Sequence, residues 1–212
     1  MRLRQACPLV LLAAAACQTV PPEPAAMPRA SVTIDEAEAW RRVASPSDSA
    51  ALDGLPARWD QALAAARAAG LGRRVAGEGA LLVRETRLAR AAPAPGSYRC
   101  RSVMLGGRKW AGSAPGFCYV GVEGGQLTLA TELRGLRVGG FLWELRGGDR
   151  LVFLGAAVPA GARTARAYGE DPGRDSAGIV ERIGEFRYRL AIPAPEPGAG
   201  LTIVELVVAP RP

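Results

Sequence analysis

The stretch that decides the fold class is FLWELRGGDRLVFL, at residues 141–154. Phe141, Trp143 and Leu145 alternate with Glu144 and Arg146, which is the period of a β-strand with one buried face. Gly147, Gly148 and Asp149 are typical of a tight hairpin turn, and the apolar run 151–154 follows them directly. The stretch therefore predicts two antiparallel strands joined by a short turn.

The same pattern of short strand-like runs extends in both directions along the chain, over residues 96–209. Short alternating runs are separated by Gly, Pro and Asp, and no helical period intervenes. The predicted strands are 98–101, 117–120, 126–133, 141–146, 151–154, 179–183, 186–192 and 201–208. We expect an antiparallel β domain at 96–209, most simply a meander of about eight strands closed into a barrel. A two-sheet sandwich is the alternative.

The strand at 186–192 shows which side chains are expected to face the core and which are expected to face outward. Its period of two places Phe186, Tyr188 and Leu190 towards the core, and Arg187 and Arg189 outward.

A helical segment is expected before the β domain, at residues 31–92. Leu55, Trp59, Leu63 and Ala66 recur at helical spacing. Ser45-Pro46 is a typical helix start, and Gly70 is a typical helix end. Trp40 and Trp59 are expected to be core residues of this segment. The glycine-rich run at 70–79 lacks the residues of a phosphate-binding loop, so we expect a flexible connection there. The fold class is therefore α+β, an N-terminal helical segment followed by a barrel-like meander.

The first thirty residues have the pattern of export and tethering. Arg2 and Arg4 precede an apolar stretch at 8–16 that is too short to span a bilayer, so residues 1–16 are predicted to be a cleaved signal peptide. Cys17 follows three alanines, as in a bacterial lipobox, and residues 17–30 have the Pro/Ala-rich composition of a disordered tether. We expect lipidated Cys17 to anchor a periplasmic protein to the outer membrane. Ordinary cleavage after Ala16, which would secrete the protein, is the alternative.

Cys100 and Cys118 are the cysteines that follow the lipobox. In an oxidising compartment they are expected to form a disulfide between neighbouring strands.

Composition excludes several function classes. Histidine is absent, which removes Ser-His and Cys-His nucleophilic mechanisms and the commonest ligand of zinc. The formal net charge of +7 is moderate, and no basic stripe with interleaved aromatic residues is present, so nucleic-acid binding is not expected. No cofactor motif and no metal site are predicted.

A polar loop beginning at residue 168 is the candidate site. Its chemistry-bearing residues are Tyr168, Asp171, Arg174 and Asp175, with Glu181 on the strand that follows. These oxygens could hold a hard cation, and two carboxylates with separated pKa values could perform acid–base hydrolysis. The simpler interpretation is that Arg174 pairs with Asp171 or Asp175 to order a long turn.

Several of these segments also resemble one family. PGSYRCR, LVFLGA, YGEDPGRDSAG, IVERIGEFRYRL and LTIVELV look like segments of the domain-of-unknown-function family 4893. The resemblance implies a secreted or periplasmic protein with a β domain and no assigned activity.

The sequence leaves three functions open. The first is a non-enzymatic envelope lipoprotein whose barrel binds an unidentified envelope ligand or protein. The second is an inhibitor of secreted proteases, by analogy of architecture alone. The third is a hydrolase that uses the carboxylates of the polar loop.

Overall fold

A computed structural model describes residues 36–106, 109–133, 135–163, 166–194 and 200–209. The predicted signal peptide, Cys17 and the predicted tether lie outside the described residues.

The helical segment consists of short helices. A 3₁₀ turn at Glu36–Arg42 precedes α1 (Pro46–Asp53) and α2 (Leu55–Ala66). The predicted helix start is confirmed, because the Ser45 hydroxyl accepts a hydrogen bond from the backbone N–H of Asp48 at 3.1 Å.

The sequence suggested a flexible connection at residues 70–79, but the structure has regular turns and a short helix there. A wide turn at Arg67–Leu71 contains Gly70 in the left-handed region (φ +81°), and α3 (Gly72–Gly77) and a 3₁₀ turn (Gly79–Leu81) follow. Val75 and Leu81 are buried, so the segment has apolar anchors that hold it in place. The prediction for this run was therefore wrong.

Within the described residues, nine strands follow the helices in an antiparallel meander. They are β1 (Gly96–Gly106), β2 (Lys109–Gly112), β3 (Gly116–Glu123), β4 (Gln126–Leu133), β5 (Leu136–Glu144), β6 (Arg150–Ala157), β7 (Asp175–Gly184), β8 (Arg187–Pro193) and β9 (Leu201–Val208). All the predicted strands are present, and the four-residue strand β2 is the one that the sequence did not indicate.

Pairing between the first and last strands closes the sheet into a barrel. β1 pairs with β9 from Tyr98↔Val208 to Leu105↔Leu201. On its other edge, the first half of β1 pairs with β3 and the second half with β2. Because β2 and β3 share one position, the nine strands make a barrel of eight positions, and the sandwich alternative is excluded.

The described residues form two hydrophobic cores, and β6 contributes to both. Leu151 and Phe153 lie in the barrel interior with Leu142, Val180 and Leu190. The intervening residues Val152 and Leu154 pack on the outer face against the helical segment, together with Trp40 and Trp59. Both tryptophans are buried, which confirms their predicted place in the core. The helical segment therefore covers one outer face of the barrel.

The two ends of the barrel differ. At the end that we call the closed end, the segment joining the helices to β1 crosses the interior. The Leu88 N–H donates to the Arg182 carbonyl at 2.8 Å, and the Ala91 N–H donates to the Gly148 carbonyl at 3.0 Å. Ala91 is fully buried in the interior cluster. At the opposite end, which we call the mouth, longer connections follow β6 and β8.

The outer face under the helical segment contains a row of alternating charges. Glu181, Arg189, Glu205 and Arg101 are directly opposite one another on β7, β8, β9 and β1. Arg189 bonds to Glu181 at 2.7 Å, and Arg101 pairs with both Glu205 (2.5 Å) and Glu78 (2.6 Å). We call these four residues the charged row.

On the strand 186–192 the orientation predicted for Phe186 is wrong, whereas that predicted for Arg189 is right but leaves its side chain buried. Arg189 lies on the outer face, as the alternation predicts, but the helical segment covers it and its exposed fraction is 0%. Phe186, predicted to face the core, precedes β8 in the turn and is 60% exposed. A period of two specifies the face of a strand, and the rest of the fold decides whether that face meets water.

Candidate functional site

Among the described residues, two cavities open at the mouth, and both are lined in part by interior side chains. One has a volume of about 440 Å³ and lies against Cys100, Ser102 and Thr131. The other has a volume of about 660 Å³ and lies against Leu133 and Thr202. Since the opposite end is closed by its connecting segment, the mouth gives access to the interior. β-Barrel mouths are a common location of ligand sites.

The interior becomes more polar towards the mouth. Near the closed end it is filled by aliphatic and aromatic side chains, whereas Ser102, Thr131 and Thr202 face inward near the mouth. All three residues are buried. The Thr131 Oγ1 has no hydrogen-bond partner among the described residues, and Thr131 itself is 6% exposed. An unpartnered buried hydroxyl costs free energy, and a bound polar group would remove that cost.

The predicted polar loop forms part of the rim of the mouth. Asp171, Arg174 and Asp175 line the larger cavity together with Asp48 of α1. Arg174 pairs with Asp171 at 3.2 Å. This is one of the two pairings expected from the interpretation that the arginine orders the turn.

Tyr168 connects this loop to the helical segment. Its hydroxyl donates a hydrogen bond to the Asp48 carboxylate and accepts one from the Ser45 backbone N–H at 3.0 Å. The Ser45 hydroxyl also donates to Asp48, at 2.9 Å. Partial burial and the bond to Asp48 raise the pKa of the Tyr168 hydroxyl. The rim is thus held against the start of α1.

Asp175 has an unusual environment for a carboxylate. Its Oδ2 accepts from the Gly169 N–H at 3.0 Å, while its Oδ1 is buried and has no partner among the described residues. Burial raises the pKa of Asp175, the Gly169 bond lowers it, and the charges of Asp48 and Asp171 raise it, with a net upward shift. Three carboxylates and one guanidinium therefore give the rim a negative character.

Glu181 is not brought to this site. It lies six residues further along β7 than Asp175, about 20 Å at the usual rise of a strand, and its carboxylate binds Arg189 under the helical segment. The sequence grouped it with the loop because the two are close along the chain.

Asp48 and Thr131 belong to the mouth and were not among the predicted residues. Asp48 is 120 residues from its partner Tyr168. Thr131 has the ordinary pattern of an inward-facing strand residue, and no local signal distinguishes its hydroxyl.

Two kinds of structural feature are absent from the described part of the chain. Within the described part of the chain, no group of three or more His, Cys, Asp or Glu side chains is arranged to hold a metal ion. No helix there is long and apolar enough to cross a membrane.

The fold and its pairing define an antiparallel β-barrel protein covered on one side by helices. A family model described as "Domain of unknown function (DUF4893)" matches residues 40–206, so the chain belongs to this family, as its segments suggested. No curated protein matches the chain. A solved structure described as a redesigned beta barrel is similar over 58% of this chain and 99% of its own, with 10% identity and a TM-score of 0.38.

Proposed function

We propose that this chain is an exported envelope protein that binds a small polar ligand at the barrel mouth and performs no chemistry on it. The observation on which the proposal depends is the buried Thr131 hydroxyl, which lines an accessible cavity and has no partner among the described residues. Asp48, Asp171 and Asp175 line the neighbouring cavity of the same mouth, and their negative charge favours a ligand that is neutral or positively charged.

The closed end and the apolar part of the interior support a binding role. They give the barrel a packed apolar floor, so that a ligand entering the mouth meets hydroxyl groups that the strands already hold in place. Binding sites commonly combine an apolar lining with a few placed polar groups, which is the arrangement found here.

Native mass spectrometry of protein purified from its own envelope tests the binding proposal. We expect a retained small molecule that dissociates on mild activation. A chain with the mass of the unliganded protein, across preparations in several mild detergents, would contradict the proposal.

Replacing Thr131 with valine separates binding from stability. We expect Thr131→Val to raise the free energy of unfolding of the unliganded protein by about 1 kcal/mol, because it removes an unsatisfied buried hydroxyl while keeping the side-chain shape. We also expect less retained ligand in the native mass spectrum. Thr128→Val is the matched control, since Thr128 lies on the same strand and faces the other way. A Thr131→Val protein less stable than wild type would show that the hydroxyl is already satisfied.

Export and anchoring are tested separately. We expect metabolic labelling with palmitate to mark the wild-type chain in the outer-membrane fraction. Cys17→Ser should abolish the label and release the protein from the membrane. Unchanged membrane association of the unlabelled Cys17→Ser chain would argue against the lipid anchor and would leave the binding proposal intact.

A further inference from the structure

A further cavity lies outside the barrel, on the outer face of β3, β4 and β5. It has a volume of about 790 Å³ and we call it the outer groove. Its lining includes Phe117, Tyr119, Ala130, Gly139 and Phe141. Most of its lining residues are distinct from those of the mouth, and its volume is in the range of small-molecule sites.

Strand register explains the shape of the outer groove. Tyr119 is directly opposite Ala130, and Ala130 is directly opposite Gly139, so an aromatic side chain is followed across the sheet by two small residues. Phe141, two residues after Gly139 on β5, bounds the groove on the other side. The small residues form the floor and the aromatic rings form the walls.

The aromatic walls are unusually exposed. Phe117 is 62% exposed and Tyr119 is 56% exposed. They lie on the same face of β3, two residues apart. Adjacent exposed aromatic residues beside a depression mark a binding surface, because an apolar ligand that covers them removes their area from water.

Arginines surround this apolar surface. Arg163 and Arg166 line the groove, are exposed, and have no hydrogen-bond or ion-pair partner among the described residues. Arg137 holds the connection beside them, because its Nη2 donates to the Ala162 carbonyl at 2.8 Å. The carboxylates of the lining are Glu123 and Glu132, and Glu132 is directly opposite Arg137 in the sheet. The charges of Glu132 and Arg137 cancel. The remaining charged groups of the described lining are the guanidinium groups of Arg163 and Arg166 and the carboxylate of Glu123, so the groove is positively charged.

We infer that the outer groove binds an amphipathic anion, an acyl chain with a carboxylate or phosphate head. The chain lies along the aromatic walls over the floor of Ala130 and Gly139, and the head accepts charge-assisted hydrogen bonds from Arg163 and Arg166. The same chemistry is offered by a free fatty acid and by an anionic membrane lipid. This inference does not depend on the ligand proposed for the mouth.

Calorimetric titration with dodecanoate and dodecyl phosphate, both kept below their micellar concentration, tests the inference. We expect both to bind, and dodecyl maltoside and dodecyltrimethylammonium to bind about tenfold more weakly, since they lack the anionic head. We also expect added salt to weaken binding of the anions. Equal affinity for the anionic and cationic chains would overturn the inference.

Two pairs of variants assign the binding to the groove. We expect Arg163→Ser with Arg166→Ser to lower dodecanoate affinity about tenfold. Arg73→Ser with Arg74→Ser, two adjacent exposed arginines on α3, should leave it unchanged. Likewise Phe117→Ser should weaken binding and Phe186→Ser, equally exposed in the turn before β8, should not. Equal losses in target and control variants would contradict the assignment.

Co-sedimentation with phosphatidylglycerol vesicles distinguishes the two sources of the anion. If the vesicles do not compete with dodecanoate and dodecyl phosphate for the protein, the ligand is a free amphiphile. If the vesicles do compete, the ligand is a membrane lipid. Association with vesicles alone, unaffected by Arg163→Ser with Arg166→Ser, would overturn the groove as the site.

Discussion

Replacing Arg189 with methionine is expected to lower the free energy of unfolding by about 3–5 kcal/mol, which is the usual cost of removing one partner from a buried ion pair. The guanidinium is fully buried and donates to the carbonyls of Ala80, Leu81, Val83 and Arg84 as well as to the Glu181 carboxylate. Methionine fills a similar volume but leaves all these acceptors without their donor.

The loss should be concentrated where the helical segment meets the barrel. The Arg189 guanidinium also lies over the Trp59 ring, 4.7 Å from its centre, and the Trp59 Nε1 donates to the Leu82 carbonyl at 3.2 Å. Urea denaturation measures the global effect. Hydrogen exchange at the amides of residues 80–85 measures the local one, and we expect faster exchange there than in β4.

Arg187→Met is the matched control, since Arg187 lies two residues away on the same face of β8. Its side chain is one-third exposed (33%), and its partner Glu205 keeps Arg101 when Arg187 is removed. We expect a loss of at most about 1 kcal/mol. Arg189→Lys should lie between the two, because an ammonium keeps the charge and has too few donors for five acceptors. Similar stabilities of the Arg187→Met and Arg189→Met proteins would contradict this account.

The second large effect is expected from the disulfide, which the structure confirms. Cys100 and Cys118 are both buried, and their Cα atoms lie 5.9 Å apart, within the usual range for a disulfide. The bridge closes a loop with a sequence separation of 18. Replacing both residues with alanine should cost about 3 kcal/mol in the chain-entropy account.

Reduction provides the control for this prediction. Dithiothreitol should lower the urea midpoint of the wild-type protein towards that of the Cys100→Ala, Cys118→Ala protein, and should leave the midpoint of that variant unchanged. A wild-type midpoint that survives full reduction, verified by thiol titration, would show that the bridge contributes little to stability.

Local patterns were sufficient for most of the barrel. The bounds predicted for β4 and β9 agree with the structure, because each run is bounded by turn residues or by the end of its apolar pattern. β2 was not foreseen, since four residues are too few to establish a period. A closed barrel was expected from the number of strands, their tight turns and the absence of helices between them, with a sandwich as the alternative, and the pairing of β1 with β9 decides for the barrel.

Long-range contacts account for what the sequence did not indicate. The burial of Arg189 depends on carbonyls as far as 109 residues away, and the role of Asp48 depends on Tyr168 at a separation of 120 residues. The alternation of β8 correctly placed Arg189 on the outer face. It held no information about the helical segment that covers that face.

The pairing of β1 with β9 also bears on when the molecule can fold. β1 begins at Gly96 and its partner ends at Val208, so the barrel seam is absent until almost the last described residue has been synthesised. The helical segment is synthesised first, but its backbone carbonyls gain the hydrogen bonds from Arg189 only after β8 has been made. A growing chain of this topology can pair neighbouring strands as they are made, but it cannot close the barrel before β9 is complete.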